Sequence, residues 1–339
     1  MRLAAAVLLV ILTLGACGRP DSSAGAGGDD RSSPGGTLVV ATPADVDFLL
    51  PQLYTGIQGR QLTDLLFDRL AEIGDSLNTV GDAGFAPRLA SAWRWAPDSL
   101  SIAFQVDPRA RWHDGVPIRA ADVAFSYRLY ADPAVGSAIA PLLAGIDSVT
   151  ATDSLTAVVW YKRRSPQQFF DAVYQLVIIP EHVYGGIRPA DLRASPVVRQ
   201  PVGSGRFRFA RWVPGSTLEL VSDTANWRGR ALLDRVVFSI APDFASAPLK
   251  LFAGEADFFE MLRAQDVTEL AKHPDLKLVP YPSLAYGSLT FNLRDPKRPG
   301  RAHPVLGDVP RVAVDQLVRP LPPQRVLLPA ERRARRDDA

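Results

Sequence analysis

The chain reads as an α/β protein. Short β-rich runs alternate with amphipathic helical stretches along most of its 339 residues. It is 47% hydrophobic and 22% charged, which supplies enough apolar side chain for a sizeable core and excludes wholesale disorder. A single cysteine excludes an intrachain disulfide framework and a cysteine-rich zinc site.

The elements follow in order. Thr37-Leu38-Val39-Val40-Ala41, closed by Pro43, predicts a strand. From Gly59 to Leu70, Leu62, Leu65, Leu66 and Leu70 recur at helical spacing, with Asp64 and Asp68 expected on the opposite face. Ser101–Val106 alternates as a half-buried strand, Arg119–Tyr130 is a helix, Thr156–Tyr161 a strand and Pro166–Tyr174 a helix. Val177-Ile178-Ile179 is a short buried run. Beyond Pro201, strands are expected at Leu218–Val221, Val236–Ile240, Ala256–Glu260, Leu276–Val279 and Ser288–Asn292. Helices are expected between them at Pro248–Ala253 and Ala264–Lys272.

The N-terminus reads as an address. Arg2 precedes an apolar run from Leu3 to Leu14. Twelve helical residues rise ~18 Å, short of the ~30 Å hydrocarbon core, so residues 1–16 are read as a secretory signal rather than a membrane span. The run ends Leu14-Gly15-Ala16-Cys17, which resembles the bacterial lipoprotein box, and this implies that Cys17 is exposed by cleavage and acylated. Residues 17–36 are dominated by Gly, Ser, Asp and Ala and have the composition of a flexible tether.

Charge discriminates little overall, at net +2, but it is unevenly spread. Residues 297–339 hold ten basic and five acidic side chains, so a mildly acidic body ends in a basic tail. Basic residues are not interleaved with aromatics, so no nucleic-acid partner is expected. The four histidines, His113, His182, His273 and His303, form no metal-binding pattern and are read as surface or turn residues. No Gly-x-Ser-x-Gly elbow occurs. Gly203-Ser204-Gly205 lacks the further glycine and Lys-Ser/Thr of a phosphate loop. No cofactor, metal or catalytic residue is assigned. Trp93, Trp95 and Trp112 are read as packing aromatics, and Glu255 and Asp257 as strand-edge residues.

Four segments carry a family resemblance. The first comprises Leu89-Ala90-Ser91-Ala92-Trp93, Phe104-Gln105-Val106, Trp112-His113-Asp114-Gly115 and Ala120-Ala121-Asp122-Val123-Ala124-Phe125-Ser126-Tyr127. The others are Pro201-Val202-Gly203-Ser204-Gly205, Gly254-Glu255-Ala256-Asp257 and Leu289-Thr290-Phe291-Asn292. In order and spacing these resemble the family 5 extracellular solute-binding proteins of ABC transporters, the peptide/nickel-binding group, over roughly Thr37 to Asp308. Where the family prefers Thr as a helix cap this chain has Arg119, so a capping hydroxyl is missing.

The resemblance implies a periplasmic-binding-protein-like α/β fold of the class II, three-lobe type. It would have lobe I at 37–70 and 197–290, an accessory lobe II at 71–196 and the start of lobe III at 291–308. The second ligand-closing lobe is then largely missing. After Asp308 the expected arginine-marked helix is replaced by a Pro/Arg-rich stretch, 309–339, with no helical period. A frame shift near Asp308 would produce such a tail; a short variant is the other reading.

The function implied is a lipid-anchored, exported receptor that captures a peptide or other small solute and delivers it to ABC permease subunits, not an enzyme. A non-binding fragment and, more weakly, a secreted hydrolase are the alternatives. By position, Tyr54, Thr55 and Gly56 after the first strand, with Tyr286 and Gly287 at the exit of lobe I, are the candidate ligand contacts. Gly203, Ser204 and Gly205 supply either backbone freedom at a hinge or room for a close backbone approach.

Overall fold

A computed structural model describes residues 34–270, 272–281, 286–287, 319–320 and 324–329. Residues 1–33, with Cys17, the signal and most of the tether, lie outside the described residues, as do Ser288–Asn292 and His303.

Strand β1 (Thr37–Thr42) leads through an irregular but buried segment to helix α1 (Ile57–Leu66). The short pair β2 (Ala71–Ile73) and β3 (Phe85–Pro87) follows, then β4 (Ala90–Trp95), β5 (Ser101–Val106), helix α2 (Ala120–Ala131), β6 (Ile146–Ala151) and β7 (Thr156–Tyr161). Short helices α3 (Gln168–Phe170) and α4 (Glu181–Tyr184) precede β8 (Phe207–Val213), β9 (Thr217–Ser222) and β10 (Arg235–Ile240). Helix α5 (Ala247–Phe252), β11 (Phe259–Glu260), α6 (Ala264–Leu270), β12 (Leu276–Tyr281), β13 (Tyr286–Gly287), β14 (Arg319–Pro320) and β15 (Gln324–Pro329) complete the order.

Two four-stranded sheets organise these elements. The first runs β1-β10-β9-β8, with β1 parallel to β10 and the remaining pairs antiparallel. The register sets Leu38 against Val236 and Val40 against Phe238, so these four apolar side chains share one face. Ala41 turns to the other face and packs in a small cluster with Ala241, Ala247 and Leu251. The second sheet runs β4-β5-β7-β6, entirely antiparallel. Ile102, Phe104 and Val106 point inward from β5 and are fully buried, as the alternation in sequence requires. Trp93 packs against Phe104 and Phe169, with ring centroids at 6.3 and 5.1 Å, and Trp112 is buried in the same core.

Helix α1 ends at Leu66, four residues before the leucine pattern does. The Leu66 carbonyl accepts the backbone N–H groups of Ser204 (3.0 Å) and Gly205 (2.9 Å), and Phe67 turns extended. Asp68 is not on a solvent face: it is 1% exposed and holds both Arg88 (3.0 Å) and Arg228 (2.7 Å). The expected helix at Pro166–Tyr174 is only three residues of α-helix followed by a wider turn, Asp171–Gln175. That turn brings the Tyr174 ring beneath the guanidiniums of Arg60 (4.5 Å) and Arg69 (5.0 Å). Of the expected strand at Ala256–Glu260 only Phe259–Glu260 pairs as a strand. Its approach is held on β1 instead, where the Asp257 carboxylate accepts the Val39 N–H (2.9 Å) and Phe258 bridges to Val40.

The missing hydroxyl at the start of α2 is half compensated. The Asp122 carboxylate accepts the Arg119 N–H at 2.8 Å and the Glu181 N–H at 2.8 Å, tying the helix start to α4. Arg119, a donor only, returns no side-chain bond. In the Pro/Arg-rich tail, the backbone of β15 is the central strand between β11 and β12, antiparallel to both.

Candidate functional site

A cavity of about 410 Å³ lies against the first sheet. Its floor is the apolar face of β1 and β10: Leu38, Val40, Val236 and Phe238. One turn-to-turn stripe of α1, Gln58, Gln61 and Leu65, forms a wall with Asp64 beside it. Thr42 and Pro43, leaving β1, and the segment Phe258–Met261, entering and leaving β11, close the sides. Twelve of the seventeen described lining residues are apolar, so the few polar groups decide orientation.

Those polar groups are of one kind. Among the described residues Thr42, Gln58, Gln61, Asp64 and Glu260 line the cavity, and no described lysine, arginine or histidine does. Asp64 is offset by Arg69, whose Nη2 lies 2.6 Å from Oδ1. The Gln61 amide donates to the Glu260 carboxylate at 2.5 Å, which links α1 to β11 across the cavity. Next to Glu260, Met261 has a φ of 71°, left-handed backbone that a non-glycine residue adopts at a cost of roughly 1–2 kcal/mol.

The loop residues singled out by position lie elsewhere. Tyr54 is buried, and burial first of all pushes its phenol above the ordinary value. Thr55 is exposed, with its N–H and hydroxyl both donating to Asp47 Oδ2 at 2.6 Å. Gly56 is the extended residue that starts α1. None of the three lines the cavity. Tyr286 and Gly287 form β13, whose backbone pairs with Pro320 and Arg319. The cavity wall was legible in a different signal, the amides Gln58 and Gln61 three residues apart beside the leucine stripe of α1.

The Gly203–Ser204–Gly205 crossing is a tight junction. A Cβ built on Gly203 would lie 1.9 Å from the Leu66 carbonyl oxygen, and one on Gly205 would lie 2.1 Å from that of Leu65. Neither glycine has a left-handed φ, and the close approach to α1 by itself leaves no room for a side chain at either position. Ser204 Oγ accepts the Asp68 N–H at 2.9 Å, and Asn226 Nδ2 donates to the carbonyls of Ser204 (3.1 Å) and Gly205 (2.8 Å).

His113 belongs to this junction; it lies in a turn, as expected, but is half-buried and engaged on both ring nitrogens. Its Nδ1 accepts the Gly203 N–H at 3.0 Å, so the proton sits on Nε2, which reaches the Gly205 carbonyl at 2.8 Å. Burial favours this neutral ring and lowers its pKa below the ordinary 6.5. His182 pairs with Asp114 at 2.7 Å, and His273 stacks on Phe252. Among the described residues no group of three His, Cys, Asp or Glu side chains is placed to hold a metal ion. Also among them, no helix is long and apolar enough to cross a membrane.

Comparison with known proteins extends these observations. The family described as bacterial extracellular solute-binding proteins, family 5 middle, matches residues 84–312. A Brucella ovis protein assigned as an ABC transporter peptide-binding protein is 29% identical over 232 residues, 68% of this chain and 42% of its own. The oligopeptide-binding protein AppA of Bacillus subtilis is 25% identical over 290 residues, 84% of this chain and 52% of its own. The structure of AppA in complex with a nonapeptide superposes with a TM-score of 0.69 at 24% identity, covering 76% of this chain and 50% of AppA. That likeness carries the periplasmic-binding-protein fold. The chain spans about half the length of the curated relatives it matches. With the matched segment covering more than half of the sequence, and relatives that bind solutes rather than transform them, the chain belongs to the family 5 bacterial extracellular solute-binding proteins.

Proposed function

We propose that this chain captures a peptide or a related small solute outside the cytoplasmic membrane and presents it to the permease subunits of an ABC importer. The observation that carries the reading is the cavity between α1, β1 and β11. It is predominantly apolar, has a few converging polar groups, and lies in the size range of small-molecule sites, ~300–1,000 Å³. Relatives that bind oligopeptides and dipeptides support a peptide ligand.

In this reading residues 37–70 and 197–290 form lobe I and 71–196 form the accessory lobe II, joined at the Gly203–Gly205 crossing. The chain from residue 291 begins the lobe that closes over the solute. Cys17 carries a lipid, and the glycine- and serine-rich tether holds the folded body off the membrane surface. Acylation at Cys17 is tested by expressing C17S, which is expected in the soluble exported fraction while the parent stays with the membrane.

The function itself is tested by differential scanning fluorimetry against peptides of two to nine residues. A ligand held at a hundred times its dissociation constant stabilises the folded state by roughly 2.7 kcal/mol, a readily measured rise in Tm. A flat melting temperature across the whole panel overturns the proposal.

A further inference from the structure

We infer that the gap between β11 and β12 is a strand-accepting slot that the chain fills with its own segment Gln324–Pro329, and that this insertion holds one side of the cavity in place. The inference concerns the Pro/Arg-rich tail and is independent of which solute is bound.

The first observation is position. The segment lies beyond the family-matched residues 84–312, yet it takes the centre of its sheet. Six consecutive residues pair antiparallel with Leu276–Tyr281, and on the other edge Leu327 and Val326 pair with Phe259 and Glu260. Among the described residues that sheet has no other strand, so without β15 the facing edges of β11 and β12 stand open.

The second observation is composition. Residues 324–328 are free of proline and hold the apolar run Val326-Leu327-Leu328, while Pro323 precedes the strand and Pro329 closes it. Proline cannot donate to a ladder and is excluded from strand centres, so the prolines that deny the tail a helix also frame a strand of this length. Strand addition is carried by main-chain N–H and C=O groups, which every residue but proline possesses in full. A slot of this kind therefore accepts a segment whose sequence lacks the family pattern.

The third observation is what the strand backs. Phe258, Phe259, Glu260 and Met261 all line the cavity, and two of them are the residues paired to β15. The tail is thereby a positioning element for the segment that closes the cavity on that side.

The test uses the full chain carrying C17S, so that engineered cysteines are the only thiols. Val279 and Val326 are direct partners across the ladder. Such partners have Cα atoms ~4.5–5.5 Å apart, a separation that a disulfide spans. V279C/V326C is expected to cross-link within one molecule on mild oxidation, about tenfold faster than V279C/L327C, since a one-residue offset puts the two positions on opposite faces of the sheet. L327P breaks the doubly paired strand. It is expected to speed amide exchange about tenfold in peptides covering Leu276–Tyr281 and Phe259–Glu260, with Ser101–Val106 in β5 unchanged. Cross-linking between two molecules instead of within one, equal cross-linking of the two pairs, or unchanged exchange of β11 and β12 in L327P overturns the inference. None of these outcomes bears on solute capture, which the melting panel decides.

Discussion

Replacing Gly203 with alanine would place a methyl carbon 1.9 Å from the Leu66 oxygen, 2.8 Å from its carbonyl carbon and 2.9 Å from His113 Cε1. The first two are backbone atoms at the end of α1, so no side-chain rotation relieves the overlap. Either α1 retreats or the crossing strand moves outward. Moving the strand releases the Ser204 and Gly205 N–H bonds to Leu66, and the exchange of bonds between Gly203 and His113. Overpacking of this kind costs ~1–3 kcal/mol, and each hydrogen bond lost adds ~0.5–1.5 kcal/mol. With four hydrogen bonds at stake the expected destabilisation is about 3–9 kcal/mol. Two other glycines calibrate it. Gly115 has open space but a φ of 87°, so G115A should cost ~1 kcal/mol from backbone strain alone. Gly145 has open space and no left-handed φ, so G145A should lie within about 1 kcal/mol of the parent, on the stabilising side. Urea unfolding followed by tryptophan fluorescence gives all three midpoints. A G203A midpoint at or above that of G115A would refute the close-approach argument.

The other predictions concern charge. His113 is held neutral, with a pKa below that of the unfolded chain, so its contribution is complete above about pH 6.5 and is lost as pH falls toward the folded value. Melting temperatures between pH 7.5 and 5 should fall less steeply in H113Q than in the parent; an unchanged slope would count against the assignment. Burial raises the Asp171 carboxyl to about 6, so its charged form burdens the fold at neutral pH and the burden lifts as pH drops through that value. D171N should melt higher than the parent at pH 7.5 and equal to it near pH 4, and a lower Tm at pH 7.5 would contradict this. For Arg88, burial opposes the charge, while Asp68 and Glu72 more than offset it and raise its pKa. Removing Asp68 leaves two guanidiniums facing each other, so D68N should cost about 3–5 kcal/mol in the same urea assay. A loss below ~1 kcal/mol would show that water already reaches the pair.

Much of the secondary structure was legible because it follows from periodicity. β5 and β7 run from Ser101 to Val106 and from Thr156 to Tyr161, as the alternation predicts, and α2 begins within a residue of the expected start. Strands β4, β6 and β8 were missed. β8 is half-buried to exposed along its length, so its pattern carries little hydrophobic contrast. β4 bulges between Ala90 and Ala92, which breaks the alternation a strand normally shows, and only beyond the bulge do Trp93 and Trp95 share a face and donate to Asp82. The early end of α1 was invisible because the groups that claim the Leu66 carbonyl come from residues 204 and 205, more than 130 positions away. The loop contacts proposed from position and the cavity described by geometry are separate sets of residues. Position along the chain marks the neighbourhood of β1, but only packing shows that α1, one element later, faces its sheet.

Taken alone, the amino-acid order determined the kind of molecule: which runs are strands, which are helices, where the glycines cluster and which family the pattern resembles. Those are local properties, set by side-chain period and backbone preference over a few residues. The fold decided what the long-range neighbours are for. Asp68 became a buried anchor for Arg88 and Arg228, His113 a neutral strut under two glycines, and Glu260 and Met261 a wall of one cavity. Each assignment depends on burial and on partners tens to hundreds of residues distant, and no local pattern encodes the electrostatic cost or the steric limit that such partners impose.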